Sequence, residues 1–183
     1  MTYEMDIAGL KRDLPLCRLT DDLYIGAFVM FGDVELTVHC AAELLKRAPE
    51  YDYIIAPEAK AIPLLYEMAR QSGADKYFVA RKKAKAYMTG IHEVTVKSIT
   101  TEGEQKLILD SADAALIKGK RMLLVDDVIS TGESIRALEE LVLSCGGIVA
   151  GRMAPLAEGD AANRSDIICL APLPLFNEDG SVK

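Results

Sequence analysis

Short, unbroken apolar runs alternate with amphipathic stretches along most of the chain. From Asp33 the apolar positions Val34, Val38, Ala41, Ala42 and Leu45 recur at helical spacing, with Asp33 as N-cap and Pro49 beyond the end. Asp52–Ala56 is an apolar run of strand length, and a second helix, about Ile62 to Ser72, is stopped by Gly73. Tyr77–Ala80 is the next buried strand. Beyond a basic, polar stretch from Arg81 to Gly90, the segments Glu93–Ile99 and Gln105–Leu109 alternate as two strands of a ribbon. Met122–Val125 is a further apolar strand, and Ile135–Ser144 a helix closed by Gly146 and Gly147. Ile148–Ala154 and Ile167–Ala171 complete the strands, and the tail after Pro172 reads as loop. The first thirty residues are mixed, apart from an extended segment over Leu23–Val29.

Continuous apolar strands alternating with helices predict an α/β fold with a parallel sheet covered on both faces. A length of 183 residues fits a single domain. Half the residues are hydrophobic and 27% charged, which excludes intrinsic disorder. The formal charge of -7 argues against a nucleic-acid or anionic-membrane partner, but leaves room for a phosphorylated small molecule held by local basic loops and a divalent cation. Cys17, Cys40, Cys145 and Cys169 are scattered with no paired spacing, so reduced thiols are expected and a zinc site is not. His39 falls within a helix and His92 beyond the basic stretch, neither with a partner visible in sequence. No apolar run reaches membrane-spanning length and the N-terminus carries acids, so a cytoplasmic protein is expected.

The chemistry concentrates after one strand. Met122–Val125 is followed by Asp126 and Asp127, then Val128 and Ile129, then Ser130, Thr131, Gly132, Glu133 and Ser134 opening a helix. In an open α/β sheet, ligands sit at the carboxyl ends of the strands. A glycine among hydroxyl residues lets successive amides point at one spot, at the positive end of a helix, where a phosphate monoester fits. Two carboxylates beside it are suited to sugar hydroxyls, or to Mg2+ acting through water. The combination describes a ribose 5-phosphate site. An acidic pair after a strand also occurs in response-regulator receivers and Walker B strands. Receivers carry theirs near the N-terminus, and no GxxxxGK accompanies this one.

VDDVISTGES resembles the signature of the type I phosphoribosyltransferases, and the likeness extends from Asp33 to Ala171. The resemblance implies one domain over 1–183, with a doubly wound, mainly parallel core at about 33–154. A small hood for the nucleobase would come from about 1–32 and 155–183. It implies catalysis on 5-phosphoribosyl 1-diphosphate, with Asp126 and Asp127 at the ribose and, indirectly, at Mg2+. Ser130, Thr131, Gly132, Glu133 and Ser134 would take the 5-phosphate. Pro57–Ala61 is similar to the pyrophosphate loop of the adenine and xanthine enzymes, implicating Ala59 and Lys60. The stretch Arg81–Lys85 resembles the basic segment of the same subgroup, implicating Arg81 and Lys82, with Lys85, in diphosphate binding, across the interface of a homodimer. The segment to about Gly103 matches a mobile lid.

For the base, the resemblance implicates Leu23 and Phe28 in the hood, and Glu158. Where the xanthine enzymes carry Asn and Lys, this chain has Met30 and Glu158, and a carboxylate there suits the exocyclic amino group of adenine. Thr100–Gly103 stands where the adenine enzymes place a loop glutamate, leaving the general acid unassigned. Purine transfer, with adenine as the base, is therefore the expectation. Transfer to xanthine or another base, or a non-catalytic sensor of the diphosphate, are the alternatives.

Overall fold

The computed structural model describes residues 1–97 and 104–183. The stretch 98–103, which holds Thr100–Gly103 and the end of the expected strand over Glu93–Ile99, lies outside the described residues.

The core sheet is parallel throughout, as the apolar runs predict. Strand β4 (Tyr53–Pro57) pairs with β5 (Phe78–Ala80) on one side and β8 (Arg121–Val125) on the other. Strand β10 (Ile148–Glu158) then joins β8 to β11 (Ile168–Leu173). A two-residue strand, β9 (Val128–Ile129), also runs along β10. Residue parity sends side chains to opposite faces. Ile54, Ala56, Leu123 and Val125 meet helices α1 (Val34–Leu45) and α2 (Ile62–Ser72) on one face. Ile55, Met122 and Leu124 meet α4 (Glu133–Ser144) and α3 (Ser111–Ile117) on the other. Under that second layer lies the ribbon of β6 (Ile91–Lys97) and β7 (Glu104–Asp110), paired antiparallel as expected.

The hood is a separate antiparallel sheet in the order β1 (Thr2–Ile7), β2 (Leu10–Arg18), β3 (Tyr24–Gly26) and β12 (Leu175–Phe176). Phe176 is fully buried and packs against Tyr3, ring centroids 4.9 Å apart. Burying a phenylalanine is worth roughly 1.5–3 kcal/mol, so two chain ends become one layer. Arg12 of β2 fastens this layer to the core. Its guanidinium lies 2.6 Å from Asp33, whose carboxylate also caps α1 through the Leu36 amide, and 2.9 Å from Glu35.

Several elements differ from the sequence reading. Helix α1 forms where expected, but its buried face is Leu36, Thr37, Cys40, Ala41 and Leu44, while Val34 is 74% exposed. The stretch is apolar on two adjacent stripes, and the sheet takes the one carrying the bulkier leucines. The N-terminal hairpin and the short helix α3, capped by Asp110, were not anticipated. The extended segment at Leu23–Val29 contracts to Tyr24–Gly26, whereas β10 continues to Glu158 within the core sheet. The tail after Pro172 is not all loop, since Leu175–Phe176 closes the hood.

Candidate active site

A cavity of about 390 Å³ opens at the carboxyl edge of the parallel sheet, beneath the hood. Its floor is the acid pair. Strand β8 ends at Val125, and the chain continues through Asp126, whose amide donates to Met153 of β10, into Asp127, whose amide donates to Asp126 Oδ1. Both carboxylates are buried, at 7% and 6% exposure. Burial, and next the charge of Asp127, push the Asp126 carboxyl up to about 8. Asp127 Oδ2 is buried without a hydrogen-bond partner among the described residues, with the Lys60 ammonium 3.8 Å away. A buried acceptor left unpaired is costly, and a ligand hydroxyl or hydrated cation would relieve it.

Beside the floor, Val128–Ile135 wrap a smaller hollow of about 30 Å³ that shares Asp126, Val128, Ser130 and Ser134 with the main cavity. The turn rests on Gly132 at φ +82°, a conformation that puts an L side chain under strain. Gly132 also lies against Arg164, since a Cβ added there would stand 2.5 Å from Arg164 Nη1. Helix α4 starts at the next residue, so its first-turn amides, which have no carbonyl partners in the helix, face this hollow. All five expected phosphate-binding residues, Ser130 to Ser134, therefore gather around one anion-sized site.

The third wall is the loop after β4. Pro57, Glu58, Ala59 and Lys60 line the cavity, and the Glu58–Ala59 peptide is cis. Lys82 lines it as well. Arg81 is placed differently from its expected role. Its Nε stands 3.2 Å from Glu58 and its Nη1 donates to the Tyr87 hydroxyl, so the side chain braces the loop rather than lining the cavity. Glu58 in turn accepts from the Lys82 amide, and these contacts hold its carboxyl below the usual range. Lys85 does not line the cavity either; its amide approaches Met88.

The hood supplies the fourth wall through Ile25–Val29, joined by Leu173 at the end of β11 and Glu158 at the end of β10. Phe28 lines the cavity but is only 5% exposed, being packed into the core. Leu23 does not line it; its carbonyl is occupied by the amides of Leu19 and Thr20. The sequence reading missed Ile25, Ala27, Val128, Glu58 and Leu173. Their position at strand ends was the available signal, but nothing in their chemistry marked them. Glu158 is half-buried, and burial raises its carboxyl while the charge of Lys60 acts the other way.

Among the described residues, no cluster of three or more His, Cys, Asp or Glu could by itself hold a metal, and no helix is long and apolar enough to cross a membrane.

The parallel sheet thus carries at its carboxyl edge a buried acid pair, a glycine turn at a helix start and a lysine-bearing loop, the architecture of an α/β protein with a cleft at its strand ends. Comparison with known proteins narrows this. The phosphoribosyl transferase domain family matches residues 37–169, and the chain belongs to that family. The adenine phosphoribosyltransferase of Thermosipho africanus is 29% identical over 170 residues, covering 90% of this chain and 94% of that enzyme. The orotate phosphoribosyltransferase of Caldanaerobacter subterraneus is 29% identical over 147 residues, 79% of this chain but only 63% of that enzyme. The crystal structure of adenine phosphoribosyltransferase from Thermoanaerobacter pseudethanolicus superposes with a TM-score of 0.66 at 24% identity, covering 94% of this chain and 95% of that one. The fold is thus the type I phosphoribosyltransferase fold.

Proposed function

We propose that the protein transfers the 5-phosphoribosyl group from 5-phosphoribosyl 1-diphosphate to a purine, adenine above others, releasing pyrophosphate and a nucleoside monophosphate. The observation that carries this reading is the junction of three parts around one cavity and the smaller hollow that shares its wall. The nest at Ser130–Ser134 takes the 5-phosphate, the Asp126–Asp127 pair takes the ribose hydroxyls, and Lys60 and Lys82 face the diphosphate. Catalysis then comes from alignment of the two substrates and from fixed charge around the reacting carbon. The twin carboxylates lie beneath the sugar, where positive charge grows as the diphosphate departs.

Mg2+ fits the residues present. Two buried hard-oxygen groups, one whose Oδ2 has no hydrogen-bond partner among the described residues, match a cation that keeps waters and is bound mainly by substrate phosphates. When bound, it would neutralise the leaving diphosphate. Glu158 on the base side favours a purine bearing an exocyclic amino group and disfavours orotate, whose own carboxylate it would repel. A homodimer belongs to the same reading. Val29, Phe31, Val34 and Tyr66 are each more than half exposed beside a hollow of about 220 Å³ at the start of α1 and α2, an apolar surface suited to a second copy. Sedimentation analysis would check it, with a dimer expected. The free thiols accord with a reducing, cytoplasmic setting.

The deciding experiment incubates the protein with the diphosphate substrate, Mg2+ and each of adenine, hypoxanthine, guanine, xanthine and orotate. Pyrophosphate release is expected fastest with adenine. Preference for orotate would overturn the purine assignment, and silence with every base would overturn transferase activity.

A further inference from the structure

Coupling a purine to the sugar leaves a proton to be placed. If the imidazole N7 carries the hydrogen, N9 attacks the anomeric carbon as the bond from that carbon to the diphosphate oxygen breaks. The electron pair of the broken bond leaves on the diphosphate. The N7–H bond must then break, its electrons returning to the ring and its proton passing to an acceptor. That acceptor has to stand between the sugar and the base.

Strand register puts one carboxylate there. Leu156 pairs with Val128 and Ala157 with Ile129, so Glu158 is the next rung, beside Ser130 at the mouth of the phosphate nest. On its other side Glu158 pairs with Leu173, the last residue of β11, which lies against Gly26 of the hood. Neighbouring strands are roughly 4.8 Å apart, so Glu158 occupies the seam between the sugar half and the base half of the cavity.

The other acids of the cavity are differently occupied. Glu58 accepts from the Lys82 amide and pairs with Arg81. Asp126 accepts from the Asp127 amide, and Asp127 faces Lys60 on the floor. The Glu158 carboxylate has neither a hydrogen bond nor an ion pair among the described residues, although the residue is half-buried. Of the charged groups across the cavity, Lys60 acts on it, while Lys82, Glu58, Asp126 and Asp127 line the remaining walls. The hood residues and Leu173 that pack beside it carry no charge.

Building on the transferase reading, we propose that Glu158 is a catalytic residue that receives the proton the purine imidazole loses as its bond to the anomeric carbon forms. The exocyclic amino group of adenine lies on the same edge of the ring as N7, so one carboxylate can both select the base and take its proton. Burial moves the Glu158 carboxyl upward, toward the range where a carboxylate is most effective as a base near neutral pH.

Glu158→Gln separates the two roles, because the amide oxygen still accepts from an amino group but takes no proton. The expected result is a fall in kcat of about 100-fold or more with the base KM within about threefold. The acidic limb of the wild-type rate profile, where rate rises as the carboxylate ionises, should flatten. Glu158→Asp should keep that limb at an intermediate kcat. Calorimetry with ribose 5-phosphate, expected to match wild type, verifies that the Gln variant is folded. If it does not bind, the Asp variant decides: a lowered kcat with a displaced acidic limb supports the assignment, and an unchanged profile overturns it. A kcat near wild type in Glu158→Gln, or a low kcat with the acidic limb intact, also overturns it. Such a result leaves the transferase reading standing, whereas a wild-type protein inert toward every base removes both.

Discussion

The two sides of the cavity are built in opposite ways. On the sugar side, one stretch from Val125 to Glu133 supplies the acid pair, the nest and the helix start, all hung from a central strand. On the opposite side, assigned to the base in the proposed reaction, Ile25–Val29 and Leu173 arrive from the two ends of the chain and carry no polar side chain. Under the proposed function the first wall would work through fixed polar chemistry and the second through shape, with Glu158 at the boundary. Substitutions should divide accordingly, the sugar side losing function steeply and the hood trading mainly in stability.

The largest effect is expected at Asp127. Its buried Oδ2 has no hydrogen-bond partner among the described residues, which costs the folded state stability that a ligand would restore. Asp127→Asn should lower kcat/KM for the diphosphate substrate by about 100-fold, equivalent to roughly 2.7 kcal/mol. It should also raise Tm, because Asp126 loses the like charge that helps push its carboxyl upward. Steady-state kinetics and calorimetry on one preparation test both signs. Full activity with unchanged Tm would show that the acid pair is merely structural.

A smaller and more selective contrast uses two glycines in similar backbone conformations, one on each side. Gly132 in the nest has φ +82° and Gly9 in the hood hairpin φ +81°. Alanine at either meets the left-handed penalty of about 1–2 kcal/mol, which lowers Tm by roughly 2–4 °C per kcal/mol. At Gly9 nothing lies within 4 Å of the added Cβ, whereas at Gly132 it would meet Arg164. Gly132→Ala should therefore also weaken ribose 5-phosphate binding, by about tenfold, or 1.4 kcal/mol, while Gly9→Ala leaves that affinity unchanged. Equal affinities in the two variants would contradict the division between the walls.

The same division explains what could be read from the sequence. VDDVISTGES was legible as one unit because the groups it brings to the cavity and the adjoining hollow are neighbours in the chain. The parallel core was legible because buried strands are uniformly apolar. The contact of Arg81 with Glu58 was not legible because the two are distant in sequence, and a basic side chain by itself does not reveal whether it faces a ligand or braces a loop. The buried face of α1 was misread because two stripes of VELTVHCAAELL were equally apolar. The hood was obscure for a deeper reason. Met5, Ile7 and Leu14 are buried only because chain ends meet there, and the loop-like tail hides the strand at Leu175–Phe176 that completes the sheet. That Ile25 and not Leu23 lines the cavity was hidden for the same reason, since the register of a three-residue strand is set by its partners.

The smallest effect concerns the hood alone and runs in the stabilising direction. Strands β1 and β2 are joined by a two-residue turn, Ala8–Gly9, with Ile7 opposite Leu10 and Asp6 accepting from the Gly9 amide. Both turn residues have positive φ, as in the tight turns that match the twist of a hairpin, and Ala8 at φ +55° is the only non-glycine in that region among the described residues. Asparagine tolerates this conformation better than alanine. Ala8→Asn should raise stability by about 0.5–1 kcal/mol, seen as a Tm increase of roughly 1–4 °C, with the kinetics of transfer unaltered. A rise in Tm accompanied by altered base KM would mean that the hairpin communicates with the base wall, so that the hood contributes more than shape. A fall in Tm would mean that the turn is built differently.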